Sequence, residues 1–356
     1  MVQDQAAQVS LARQLLRVEC DGPCDPVLEQ KLDSLVEAVI VRVRSAPGES
    51  DEKSTALHFF RAVDQAMIQS DVIFPPQGAI DFLREALQPR QLSAEEFQRA
   101  QTLFPNVRRA DWMRANQRSE GQFYFFDCDL AAVIYLAAAE RLGFPVVMVE
   151  IPGHDFVRWD SAGTQLNWDP NDAISYPDAY YAQTWHITDL DREFCGAFRK
   201  MDRARVISYW RMLCGRAKLR ELDYTGAAAA FRDGVRSSPD DPTMQNELAW
   251  LLATCPEKTV RNGAEAIVWA ERAVARARRG CWLQTLGAAY AETGDFDRAI
   301  ALETEAKATR ASPLGWLGPH ETRLDFETCL GAYRKHLTIA DALERGLLTA
   351  DEMPER

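Results

Sequence analysis

The sequence predicts an α+β protein with a helical lead, a short mixed α/β core and a helical array built from repeated units. Three observations carry this reading. Apolar residues recur at three- and four-residue spacing from Ser10 to about Gln101. Between Glu120 and Tyr181 the texture changes to unbroken apolar runs and strict alternation. After about Arg203 the helical spacing returns and contains an internal repeat. With 356 residues and 47% hydrophobic content the chain can bury a sizeable core, and its length suggests two domains. We place the first at 1–200, with a helical lead at 1–119, the α/β core at 120–181 and a connector at 182–200, and the second at 201–350.

In the lead, the segments Leu28–Val43, Thr55–Met67 and Ile80–Leu87 each present an apolar stripe, and Pro47-Gly48 and Pro75-Pro76 break them. The core opens on FYFFDCDLAAVIYLAAAERLGFP, where Leu130, Val133, Ile134, Ala137 and Ala138 form an apolar helix face and Gly143 and Pro145 supply the stop. A β-rich run, Val146 to Ile151, follows, then a Pro152-Gly153 turn and two alternating segments, Pro152 to Trp159 and Gln165 to Pro170. In the second domain LDYTGAA, RNGAEAI and GDFDRAI begin at Leu222, Arg261 and Gly294 and mark the start of the second helix in three successive units. NELAWLLA and WLQTLGAAYAETG supply first helices, with small residues where paired helices pack closely, and the ATCPEKTVRN loop absorbs the longer step. GDFDRAI with the preceding LGAAY resembles a tetratricopeptide repeat. Trp210, Trp250, Trp269 and Trp282 read as core aromatics of this array. A charged tail, Asp351 to Arg356, ends the chain.

Composition removes several function classes. A net charge of -12 repels a polyanion, and no basic stripe with interleaved aromatics offsets it, so nucleic acid is not expected as a partner. No window approaches the roughly 18 apolar residues of a membrane span, and the first residues show neither a basic lead nor an apolar export segment. The expected compartment is therefore the cytoplasm. Eight scattered cysteines do not form a disulfide framework, and Cys20 and Cys24 lack a second Cys/His pair to complete a zinc site, so we expect reduced thiols and no metal or cofactor.

One constellation carries chemistry. Cys128 opens the apolar helix, where unpaired N–H groups and the helix dipole favour a thiolate. Asp127 and Asp129 oppose this unless one is spent as the N-cap. Downstream, Asp160-Ser161-Ala162-Gly163 reads as a four-residue hairpin loop. If Trp159 then pairs with Thr164, counting back along both strands sets His154 directly opposite Asp169, on the face shared with Phe156, Arg158 and Asn167. Leu166, Trp168 and Val157 take the other face. A thiol, an imidazole and an orienting carboxylate are the parts of a nucleophilic acyl-transfer site. His186 reads as structural, and Asp172 and Asp178 as loop or cap residues.

The order of a Cys at a helix start, a His beginning a strand and an Asp-Pro ending the next strand resembles the transglutaminase-like superfamily, which has a papain-like fold. More narrowly, AAAERLGFPVVMVEIPGHDFVRW, NWDPND and PDAYY (Pro177 to Tyr181) are similar to a bacterial branch whose core is followed by tetratricopeptide repeats. The resemblance spans roughly Glu120 to Ala308 and implies Cys128, His154 and Asp169 as a catalytic triad, and the papain-like likeness implies Gln122, six residues before Cys128, as a side-chain oxyanion donor, with a backbone N–H near Cys128 as the alternative. It implies a peptidase, amidase or transglutaminase-like enzyme, with a protein or peptide partner on the repeat groove. The alternative is a non-catalytic regulatory protein that uses the repeats alone. Oligomeric state is not specified by either reading.

Overall fold

A computed structural model describes residues 9–45, 51–74, 82–91, 93–96, 98, 122–151, 153–194, 196–309 and 324–347. The expected breaks at Pro47-Gly48 and Pro75-Pro76 and the charged tail lie outside them. The chain divides into two compact units, one of Met1–Thr184 with Phe198–Arg203 and one of Trp185–Ala197 with Ala204–Arg356.

The first unit starts with helices α1 (Leu11–Glu19), α2 (Pro26–Arg44) and α3 (Glu52–Gln69), each begun by a polar cap, Ser10, Asp25 and Asp51 respectively, that accepts a first-turn N–H. At the end of α1 the chain folds back through Asp21 (φ 51°) and Gly22 (φ 144°) and brings the Cα atoms of Cys20 and Cys24 to 5.5 Å. The two cysteines form a disulfide, which corrects the expectation of reduced thiols. Spacing alone does not show that a left-handed turn closes this short loop to bonding distance.

The lead is not purely helical. Strands β1 (Val72–Ile73) and β2 (Arg90–Gln91), the latter after the short helix α4 (Leu83–Ala86), flank β3 (Gln122–Phe125) in a small sheet of order β1-β3-β2. Two residues are too few to show a period of two, so sequence pattern cannot reveal such strands.

β3 delivers the chain to α5 (Cys128–Leu142). Every residue from Leu130 to Ala139 is buried, so this helix is covered all round rather than along one face. It packs on α1, α2 and α3, and on strands β4 (Val146–Ile151) and β5 (His154–Asp160). At ~1.5–3 kcal/mol for each fully buried large aliphatic side chain, Leu130, Val133 and Ile134 alone contribute several kcal/mol to holding α5 in the unit. Gly143, at φ +71°, ends α5 in the left-handed region, as its place before Pro145 predicts.

β4 and β5 join β6 (Gln165–Trp168) and β7 (Arg199–Met201) in an antiparallel sheet of order β6-β5-β4-β7. On the helix-facing side, Trp168 stacks on Phe60 of α3 at 5.5 Å between ring centroids, and its indole Nε1 donates to Asp64 at 2.9 Å. Tyr135 of α5 donates to the same carboxylate at 2.7 Å, so buried Asp64 ties α3, α5 and β6 at one point. Two short helices follow the sheet's hairpins, α6 (Asp178–Thr184) in the first unit and α7 (Asp189–Phe194) in the second.

The second unit continues with α8 (Arg203–Arg220), α9 (Tyr224–Ser237), α10 (Pro242–Thr254), α11 (Gly263–Arg276), α12 (Gly280–Glu292), α13 (Phe296–Thr309), α14 (Phe326–Tyr333) and α15 (Ile339–Glu344). The three repeat motifs fall where α9, α11 and α13 begin, and Asp223, Asn262 and Asp295 accept first-turn N–H groups there. Helix α10 packs on α11 and also on α12, which packs on α13, so first helices touch the next first helix as well as their own partner. A side chain at Gly215 would collide with the Phe231 ring, which explains that glycine as a close-approach position. Trp210, Trp250 and Trp282 are buried and Trp269 is partly buried against the core, as read from the sequence. Among the described residues no helix is long and apolar enough to cross a membrane.

Candidate active site

Cys128 is the first residue of α5 and is half-buried. The preceding Asp127 is the N-cap: its carboxylate accepts the Leu130 N–H at 3.2 Å and also takes the Asp129 N–H. Capping does not remove its charge problem. Burial first, and Asp129 second, push the Asp127 carboxyl up to about 7, so it carries a proton through much of the neutral range. The Cys128 thiol donates to Asp129 Oδ1 at 3.2 Å. Burial, followed by the charges of Asp129, Asp127 and Asp155, holds this thiol well above the ordinary range, and a backbone hydrogen bond from Asp155 opposes them. The sulfur thus meets β5 at Asp155, the residue next to His154.

His154 begins β5, after a two-residue turn in which Gly153 takes φ +77° and Ile151 pairs with His154. Its Nε2 lies 2.8 Å from Asp169 Oδ2, with both side chains almost fully buried. The pair forms by a different register from the one expected. Trp159 pairs with Leu166, not Thr164, and Asp160 stays within β5 opposite Gln165. The loop is Ser161 to Thr164, closed by the Ser161 N–H on the Thr164 carbonyl at 3.0 Å and by the Thr164 N–H on the Ser161 hydroxyl at 3.0 Å. The ladder is therefore shifted by two residues, an even number that leaves every side chain on its predicted face. His154 and Asp169 meet diagonally across the sheet, within the reach of an imidazole and a carboxylate.

Asp169 is held from several sides. Its Oδ1 accepts the N–H groups of Asn171 and Asp172 at 3.0 and 3.2 Å, and its Oδ2 accepts the Tyr181 hydroxyl at 3.4 Å beside the histidine. Its own backbone bridges to Ile174. The Asp-Pro turn thus orders the carboxylate before the imidazole reaches it. On the same sheet face Arg158 donates to Asn167 Oδ1 and Asp178 Oδ1, both at 2.6 Å, and Asn167 donates to Asp178 and to the Tyr176 carbonyl. Asp178 therefore fastens α6 to the sheet, and Asp172 accepts the Tyr176 hydroxyl at 2.9 Å. Both do more than the loop or cap role read from the sequence.

Gln122 stands exposed at the start of β3, opposite Gln91. Tyr181 and Asp155 are the site neighbours that sequence reasoning missed. Tyr181 follows an irregular turn, so no period pointed to it, whereas alternation had already put Arg158 and Asn167 beside His154. Among the described residues no group of three or more His, Cys, Asp or Glu side chains is placed to hold a metal ion.

The unit thus presents a class of site: a cysteine opening a buried helix, facing strands that carry a hydrogen-bonded His–Asp pair. Residues 130–194 match the family model described as Transglutaminase-like superfamily, which points to a papain-like fold for this core. The matched span holds His154, Asp169 and Tyr181, and Cys128 lies just ahead of it. The chain matches no curated protein and no solved structure.

Proposed function

We propose that the first unit is a thiol-dependent acyl-transfer centre in which Cys128 is the nucleophile, His154 the general base and acid, and Asp169 the orienting carboxylate. The observation that carries this is the buried His154–Asp169 bond, 2.8 Å long, on a carboxylate already fixed by two backbone N–H groups. A histidine that only fills space does not need so ordered a partner. With Nε2 directed at Asp169, Nδ1 is the nitrogen that exchanges the proton with sulfur. The resting thiol is neutral. On attack the sulfur bonds the substrate carbonyl carbon and its proton passes to His154, which returns it to the leaving amine as the C–N bond breaks. Water then cleaves the thioester in a peptidase or amidase, and an amine does so in a transamidase. Because Asp127 occupies first-turn N–H groups of α5, the oxyanion donor is the Cys128 backbone N–H or Gln122 after substrate binding.

The helical unit is read as a tetratricopeptide-type array that binds an extended peptide or helix of a partner. Its support is the recurrence of capped second helices at the three motif positions. A second reading, in which the α/β core no longer turns over and the array alone acts, is favoured by the surroundings of the sulfur: burial and the charges of Asp129 and Asp155, joined by Asp127 where it ionises, push the Cys128 thiol up.

An acylating thiol probe separates the readings. Labelling is expected in the wild-type chain, lost in Cys128→Ala and strongly suppressed in His154→Ala and Asp169→Ala. Equal labelling of the wild-type, His154→Ala and Asp169→Ala proteins contradicts the enzyme reading.

A further inference from the structure

Tyr181 lies against the His154–Asp169 pair without being one of its members. It sits on α6, is fully buried, and its hydroxyl reaches Asp169 Oδ2, the same oxygen that bonds His154 Nε2. Its ring stacks on Phe156 with centroids 4.1 Å apart and planes 6° from parallel, and it lies 6.1 Å from the His154 ring at 28°. Phe156 and His154 are alternate residues of β5, so one tyrosine covers two successive positions on one strand face. Tyr176, Tyr180 and Phe198 pack edge-on against it.

Nothing in the packing demands a hydroxyl here, since a phenylalanine would stack on Phe156 equally well. Burying a hydroxyl without a partner costs free energy, and the carboxylate of Asp169 serves as a partner here. Burial, then the charge of Asp169, pushes the Tyr181 hydroxyl far above the usual phenol range, so it is a fixed donor and never competes as an anion. The helix that carries it is fastened independently, by Arg158 and Asn167 on Asp178.

We infer that Tyr181 is a positioning residue for the His154–Asp169 pair: its hydroxyl shares Asp169 Oδ2 with the imidazole and its ring closes the pair from solvent. This rests on the acyl-transfer reading for its use, but not for its geometry. By taking part of the charge on Oδ2, the hydroxyl lessens the stabilisation that Asp169 gives the imidazolium through Nε2–H and so keeps His154 able to hand its Nδ1 proton back. The other ionisable groups facing this hydroxyl are Asp172 and Tyr176, which hydrogen-bond each other. Arg158, on the same strand face, has its charge matched by Asp178.

The test compares wild-type chain with Tyr181→Phe, which keeps the stack, and Tyr181→Leu, which loses ring and hydroxyl. The readouts are the low-field proton resonance of the His154 Nε2–H and the pH profile of Cys128 labelling by the acylating probe. In Tyr181→Phe the resonance moves and the alkaline limb of labelling shifts upward by about half a pH unit, the size expected for one weak donor on a charged acceptor. Tyr181→Leu shows the same shift and a faster solvent exchange of that proton. An unmoved resonance and an unchanged profile in Tyr181→Phe overturn the inference. A moved resonance without wild-type labelling supports the positioning role and removes the acyl-transfer reading alone.

Discussion

Around Cys128 the decisive quantity is the charge that faces the sulfur. Asp129 is both the acceptor of the thiol proton and the largest charge opposing its loss, after burial itself. Replacing it with asparagine removes a charge and keeps the size. Asp129→Asn should therefore raise the labelling rate of Cys128 near neutral pH by about tenfold, the equivalent of one pH unit of thiol acidity. A rate equal to or below that of wild type contradicts the assignment. Asp127 contributes in the same direction only as pH rises past about 7, where its own carboxyl ionises. Much at this scale was legible beforehand. Alternation fixed which strand residues share a face, and a two-residue register error did no harm because parity survived it. What stayed hidden was the Ser161 hydroxyl that closes the loop, and the irregular turn that brings Tyr181 onto the pair.

At the scale of the element, the second unit contains a carboxyl that the sequence disguises. Glu303 looks like one more surface glutamate of α13, yet it is fully buried, with one oxygen bonded by Gln284 at 2.8 Å. The same glutamine donates to the Leu324 carbonyl at 3.0 Å and accepts its N–H at 3.3 Å, so α12 and α13 hold the chain entering α14. Burial pushes the Glu303 carboxyl up to about 8 from its ordinary 4.5, with Asp325 adding to the rise. Between those two values the folded state keeps a proton that the unfolded state has lost, so stability falls as pH rises from about 4.5 to about 8 and is level outside that window. Glu303→Gln is neutral throughout and should be on the order of 5 kcal/mol less sensitive to that pH change in urea unfolding. An identical loss in wild type and variant contradicts the assignment. The helices themselves were readable from spacing and caps. Strands of two or three residues were not, because tertiary pairing rather than local pattern makes them.

At the scale of the molecule, sequence order and spatial order part company at one place. The chain leaves the first unit after Thr184 and returns at Phe198 to lay β7 along β4, where Lys200 pairs with Asp160 and Met201 is buried. The sequence reading treated this stretch as connector because three residues, two of them basic, do not announce a strand. A chain cut after Thr184 leaves β4 as an open edge, whereas a cut after Arg203 retains its partner. The longer fragment should unfold cooperatively and stay monomeric, and the shorter should aggregate on concentration in light scattering. Equal behaviour of the two removes β7 from the first unit's core.

The central claim is that Cys128, His154 and Asp169 work as one proton-handling unit, and the labelling rate of Cys128 across pH tests it most directly. In the wild-type chain the rate should rise at a lower pH than in His154→Ala, because an adjacent imidazole that takes the proton promotes the thiolate. Asp169→Ala should fall between them, since the imidazole remains but its orientation is lost. Superimposable profiles for all three proteins would show that the thiol ignores the histidine, and the account of the site would fail.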